Sequence, residues 1–142
     1  MALPRIDIVE DNATPQQKAS ILDALQEYNN KAARPSFSAD FSILLRDATS
    51  DDVVGGLSGQ SFYGWTFVKF LVVPEIYRGL GLGRQLMLEA ETLARRHGSE
   101  GIWLDTFDFQ ARPFYEKLGF SVFGELEAGE QAHARYFLKK RF

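Results

Sequence analysis

Apolar and polar residues alternate from Arg5 to Glu10, the period-two pattern of a half-buried strand, and Asp11 and Asn12 end it. The next segment, Thr14-Pro15-Gln16-Gln17, has the form of a capping box with proline at the first helical position. It predicts a helix over residues 15–30 with Ile21, Leu22, Leu25 and Tyr28 on its apolar face. Residues 29–40 carry Pro35, several small side chains and no period, and read as a loop. Strands follow over 41–46, 53–62 and 65–73, the second loosened by Gly55, Gly56 and Gly59. The period then changes: Leu82, Leu86, Ala90 and Leu93 recur at helical spacing, and His97-Gly98 is the stop. Beyond it the pattern predicts a strand over 101–107, a short helix over 113–118, a strand over 120–126, a polar loop over 127–134 and a last strand over 135–142. Two hairpins precede the first strand-to-helix crossover, so the fold class is a mixed α/β (α+β) single domain, 1–142.

That crossover is the most informative stretch. Arg78-Gly79-Leu80-Gly81-Leu82-Gly83 joins the most hydrophobic strand to a helix. Glycines at alternate positions let the backbone curl so that successive amides face one ligand, and the opening helix adds its unpaired first-turn N–H groups and dipole. The expected guest is a phosphate or pyrophosphate. A Walker loop would need Lys-Ser/Thr after Gly83, where Arg84 and Gln85 stand. A dinucleotide loop would need a third glycine where Arg84 stands, although Asp105 follows at a tolerable distance for its ribose carboxylate. From the glycines alone, that reading stays open.

The residues 78–83 also fit Arg/Gln-x-x-Gly-x-Gly/Ala, and Ala111-Arg112-Pro113-Phe114-Tyr115-Glu116-Lys117-Leu118-Gly119-Phe120 fits Ala-x-x-x-Tyr-Glu-Lys-x-Gly-Phe. Together, in this order, they resemble the GCN5-related N-acetyltransferases (GNAT). The resemblance covers nearly the whole chain, its specific motifs lying in 73–83 and 108–120. It implies a mostly antiparallel mixed sheet flanked by helices, with two parallel central strands splaying apart around the pantetheine arm of acetyl-CoA. It further implies that backbone groups of Leu71, Val72 and Val73 pair with that arm, and that Arg78, Gly79, Gly81, Gly83 and Arg84 hold the pyrophosphate. Tyr115 stands at the family's tyrosine position, as general acid toward the departing thiolate. Glu75 is the base candidate in the loop, with Asp105, Asp108 or a water chain as rivals, while His97 reads as a helix-end residue and His133 as a polar-loop residue rather than the base. Asp108 replaces a common Asn; an ionised Asp cannot donate to the cofactor.

For the acceptor, the implied fold turns residues 29–40 and the 60–65 hairpin toward the acetyl end. Tyr28, Phe37, Tyr63, Trp65 and Phe109 are then candidates for an aromatic wall, with Asp105 or Asp108 to attract a cationic amine. The expected activity is acetyl transfer from acetyl-CoA to a primary amine of a small molecule by direct attack in a ternary complex. A CoA-binding sensor without turnover and acetylation of a protein or peptide amine are the alternatives.

Composition narrows this further. The chain has 142 residues, 45% hydrophobic and 25% charged, enough for one domain with a core. A net charge of −3 argues against a nucleic-acid partner, and the run 139–141 is short and terminal. No stretch is long and apolar enough for a membrane span and residues 1–10 lack a signal-peptide pattern, so a cytoplasmic location is the default expectation. Having no cysteine removes disulfides, thiolate nucleophiles and Cys-ligated metal, and the two histidines lack metal-ligand spacing. Gly56-Leu57-Ser58-Gly59-Gln60 is one residue short of a nucleophile elbow and falls in a strand, against a serine hydrolase. A homodimer is compatible with the 12 phenylalanines, but no stripe marks an interface.

Overall fold

The computed structural model describes residues 1–34 and 37–142, so Pro35 and Ser36, at the heart of the expected 29–40 loop, lie outside the described residues. Those described form two compact units, Met1–Pro35 and Ser36–Phe142.

In the first unit, helix α1 spans Pro15–Ala32. Its capping box is made as expected: Thr14 Oγ1 accepts from the Gln17 amide at 3.1 Å, and Gln17 Oε1 accepts from the Thr14 amide at 2.8 Å. The strand expected over residues 5–10 does not form, and Ile6 and Ile8 are exposed. Alternation marks faces, but a strand also needs a hydrogen-bonding neighbour, and among the described residues no strand pairs with it.

The second unit is built on a six-stranded sheet of order β1-β2-β3-β4-β6-β5, with β1 at Ala39–Arg46, β2 at Val53–Phe62, β3 at Trp65–Val72, β4 at Gly101–Phe107, β5 at Ser121–Leu126 and β6 at Arg135–Arg141. Only β3 and β4 run parallel; every other neighbouring pair is antiparallel. That is the mixed, mostly antiparallel sheet expected. β2 and β3 join through Tyr63 (φ 50°) and Gly64 (φ 82°), the two positive φ values of a tight hairpin whose twist matches its strands. Helix α2 spans Leu82–Arg96 and lays Leu86, Met87, Ala90 and Ala94 against the sheet. There Leu86, Met87 and Ala90 join Leu57, Val68, Ile102, Leu104, Phe120 and Leu138 in one core. Helix α3, Arg112–Lys117, sends Phe114 and Tyr115 onto the same cluster. Phe114 also reaches the first turn of α2, where a Cβ on Gly83 would stand 3.2 Å from its ring.

Candidate active site

β3 and β4 pair only from Trp65↔Gly101 to Val68↔Leu104. β3 continues to Val72 and β4 to Phe107 without a further bridge, so the strands part into a slot. The register explains where. Between β2 and β3, Ser58 faces Phe70 while Gly59 faces Val68, which leaves Lys69 as an extra residue on β3. Such a bulge bends its strand and increases the local twist. It falls one residue past the last β3–β4 pair, turning the rest of β3 from β4. The partner side can follow because Gly59 has no side chain: a Cβ there would lie 2.7 Å from the Phe67 carbonyl.

At the end of β3, a single 3-10 turn over Glu75–Tyr77 leads into the glycines. Gly79 and Gly81 have φ of 79° and 78°, in the left-handed region that glycine adopts without strain. Gly81 is the N-cap of α2, and the first bond closing that helix is Gln85 N–H to Gly81 C=O at 3.0 Å. Among the described residues no acceptor takes the amides of Gly79, Leu80, Gly81, Leu82, Gly83 or Arg84. These six donors at the positive end of a 15-residue helix suit a pyrophosphate. Arg78 is partly engaged, its Nε donating to the Val73 carbonyl at 3.1 Å, while Arg84 is exposed. Tyr77 donates to Asp47 at 3.1 Å, tying the turn to the β1–β2 connection. Glu75 is exposed, and its carboxylate has no partner among the described residues.

On the β4 side, Tyr115 packs its ring at 5.0 Å from Phe114 and 6.1 Å from Phe120. Burial, and then the nearby charge of Asp105, push its phenol up to about 12. No side-chain polar atom among the described residues is both fully buried and unpartnered. The Tyr115 hydroxyl, which has no partner among them, therefore keeps contact with solvent. Asp105 already has a cation beside it: its Oδ1 accepts from Arg135 Nε at 2.9 Å and lies 2.8 Å from Nη2 of the same guanidinium. At Asp108, by contrast, both oxygens are engaged, Oδ1 with His133 Nδ1 at 3.0 Å and Oδ2 with the Ala134 amide at 3.2 Å. Phe109 stacks on Phe107 at 5.4 Å and meets the His133 ring edge to face at 4.8 Å.

Leu71, Val72, Val73, Glu75, Arg78, Gly79, Gly81, Gly83 and Arg84 thus fall along one wall of the slot and its floor, while Asp105, Asp108 and Phe109 fall along the other. Of the remaining acceptor candidates, Tyr63, Trp65 and Phe37 are not brought there. Tyr63 and Trp65 sit at the opposite end of β3, Trp65 being bridged to Gly101 at the start of β4. A strand advances about 3.3 Å per residue, so Trp65 stands roughly 26 Å from Val73. It lines instead a groove of about 480 Å³ with Trp103, Phe123, Phe137 and Lys139. Phe37 packs 4.7 Å from His97, beyond the last residue of α2 and far from the glycine turn. Tyr28 belongs to α1 of the other unit and is exposed. The arrangement that sequence reading passed over is the Asp108–His133 pair, whose only signal was the acid at position 108.

Two parallel strands parting beside a glycine turn with unclaimed amides make a slot suited to a ligand that carries a pyrophosphate, the arrangement that the GNAT resemblance implies for an acyl thioester of CoA. The comparisons agree. Residues 7–120 match the Acetyltransferase (GNAT) family. Acetyltransferase Atu2258 of Agrobacterium fabrum is 34% identical over 95% of this chain and 98% of its own length. The blasticidin-S acetyltransferase of Streptomyces morookaense is 33% identical over 86% of this chain and 85% of its own. The crystal structure of a candidate acetyltransferase from Agrobacterium tumefaciens superposes with a TM-score of 0.89 at 33% identity, covering 97% of this chain and all (100%) of that one. The chain belongs to the GNAT family. It is an acyl-CoA-dependent N-acetyltransferase. No helix of the described residues is long and apolar enough to cross a membrane.

Proposed function

We propose that this enzyme transfers the acetyl group to a primary amine of a small molecule, by direct attack of the amine on the thioester in a ternary complex. One observation carries the reading: β3 loses its β4 partner over residues 69–72, beside a turn with six unclaimed amides. The released edge of β3 offers unpaired N–H and C=O groups to which an amide-bearing arm adds as a strand would. Leu71, Val72 and Val73 would pair with that arm, and an N–H there would polarise the thioester oxygen. Gly79, Gly81, Gly83 and Arg84 would hold the pyrophosphate, aided by the part of Arg78 not given to Val73.

Tyr115 would face the leaving sulfur. A phenol near 12 is a weaker acid than an ordinary thiol near 8.5. Complete proton transfer to a free thiolate would then be uphill by about 5 kcal/mol. Its first contribution is therefore a hydrogen bond from a hydroxyl that stays protonated while charge grows on sulfur. Transfer completes as the tetrahedral intermediate gives up its own proton.

A small-molecule acceptor is favoured by the relative that acts on blasticidin S. The test is a thermal-shift series with acetyl-CoA, CoA, NADH and ATP, followed by thiol release from acetyl-CoA with a panel of blasticidin S, streptothricin, glucosamine 6-phosphate and 2-phenylethylamine. A rise with acetyl-CoA and CoA alone, about 2.7 kcal/mol at a hundredfold excess over Kd, and thiol release with at least one amine are expected. Stabilisation without thiol release from any amine, alongside acetylation of lysine peptides, would overturn the small-molecule reading.

A further inference from the structure

We propose that His133, held by Asp108, is the general base that takes a proton from the acceptor ammonium; this rests on the acetyl-transfer reading above. Asp108 follows the last residue of β4, at the lip of the slot on the side opposite the glycine turn. His133 stands on the connection between β5 and β6, 25 positions away in sequence, yet its Nδ1 lies 3.0 Å from Asp108 Oδ1. The contact is locked from several sides. Asp108 Oδ2 accepts from the Ala134 amide, the Asp108 amide donates to the Ala134 carbonyl at 2.9 Å, and the Phe109 ring meets the imidazole.

The chemistry of the pair fixes its role. An ionised carboxylate only accepts, so Nδ1 must carry the hydrogen, and in the neutral ring Nε2 is left with its lone pair. Among the described residues Nε2 has no partner, and the side chain is 66% exposed, open to an incoming substrate. Its rivals are worse placed. Asp105 is ion-paired through its Oδ1 with Nε and Nη2 of Arg135, and the Glu75 carboxylate is exposed with no partner among the described residues to orient it. The departure from Asn at position 108 thus acquires a reason, because only an anion both fixes this tautomer and stabilises the imidazolium that forms.

Protons and bonds balance as follows. The acceptor ammonium gives one proton to His133 Nε2 and becomes a neutral amine. Its nitrogen attacks the thioester carbon, the C–N bond forming and the C–S bond breaking. A second nitrogen proton reaches the departing sulfur past the Tyr115 hydroxyl, the third remains on the amide, and the imidazolium releases its proton to solvent.

The test uses acetyl-CoA and the panel amine that the wild type acetylates fastest. In His133→Gln the acetyl-CoA thermal shift is unchanged while kcat falls about 100-fold, the lower range for a general base. With hydroxylamine, already neutral at pH 7, the same variant loses far less. Added imidazole restores part of the activity of His133→Gly. In Asp108→Ala, nitrogen NMR of the imidazole shows the ring released from the Nδ1–H tautomer. Turnover within twofold of wild type in His133→Gln, with Glu75→Gln inactive, would overturn the proposal and leave the acetyltransferase standing. A wild type without an acetyl-CoA shift or thiol release would instead remove the transfer reading, and His133 with it.

Discussion

Gly81→Ala isolates the glycine turn as a binding device. Gly81 has φ 78° and ψ 11°, and a Cβ built there finds no atom within 4 Å. The cost to folding is therefore backbone strain without a clash, about 1–2 kcal/mol for an L-residue held left-handed. For a chain of this length that lowers Tm by roughly 2–8 °C. Alanine also draws the turn toward negative φ, which rotates the adjoining amides away from the common point they face. Losing one charge-assisted hydrogen bond costs about 1.5–3 kcal/mol, or roughly 10- to 100-fold in Kd. Gly64→Ala is the matched control. Its φ is 82°, a Cβ there also meets nothing, and it lies in the β2–β3 hairpin at the other end of the sheet. Calorimetric unfolding should show similar losses for both variants. Titration calorimetry with acetyl-CoA should show weakened affinity for Gly81→Ala alone. Equal affinity in the two would refute the assignment of these amides to the pyrophosphate.

Other expectations follow from the same geometry. Thr66 is fully buried and its hydroxyl bonds Ser61 at 2.8 Å and Ser99 at 2.7 Å, so Thr66→Val should cost about 1–3 kcal/mol in urea unfolding with acetyl-CoA affinity retained. Leu104, 2% exposed and the last β4 residue paired to β3, should cost about 2–5 kcal/mol as alanine. Tyr115 has a folded pKa raised from 10 to about 12, so between those values the unfolded chain has lost the phenolic proton and the native one keeps it. Stability falls as pH rises through that window, by about 2–3 kcal/mol in total, and the difference between wild type and Tyr115→Phe should carry this pH dependence. Asp105→Asn should lower the Tyr115 titration midpoint seen by ultraviolet difference spectroscopy while leaving it above 10, because burial is the larger cause.

Elements whose partners are local, or whose faces are buried, were legible in the chain. The capping box at Thr14 and the heptad-like face of α2 predicted their helices to within two residues of where they stand. Residues 5–10 were not, since alternation is silent on whether another strand is present to take the hydrogen bonds. The splay came from family resemblance, although its cause left a trace. Gly59 marks the β2 position opposite the bulge, and a glycine inside a strand is the signature of such a close approach. Tyr63 and Trp65 stand away from the glycine turn because of strand length: Val73 lies eight positions beyond Trp65, and a hairpin cannot serve both ends of its own strand. His133 was hidden by distance along the chain, and an exposed loop histidine has no periodic context to betray its partner.

The two ends of the parallel pair are built for opposite purposes. Where β3 and β4 begin, hydroxyls form a chain: Ser99 to Thr66, Thr66 to Ser61, and Ser61 to His97 Nδ1 at 2.9 Å, at the cap of α2. Trp65 closes over Gly101, where a Cβ would lie 2.5 Å from the indole. That end cannot open without breaking buried hydrogen bonds and unpacking an aromatic ring. Lys69 then adds its extra residue one step past the last bridge, and the strands leave each other from a fixed hinge. The floor of the slot is equally constrained, since Phe114 occupies the space a side chain on Gly83 would need. A slot anchored in this way has its width set before any ligand arrives. Little ordering of the slot walls would then remain to be lost on binding, and under the proposed reading the energy of pyrophosphate contacts would go to holding the thioester between the glycine turn and the lip where Asp108 holds His133.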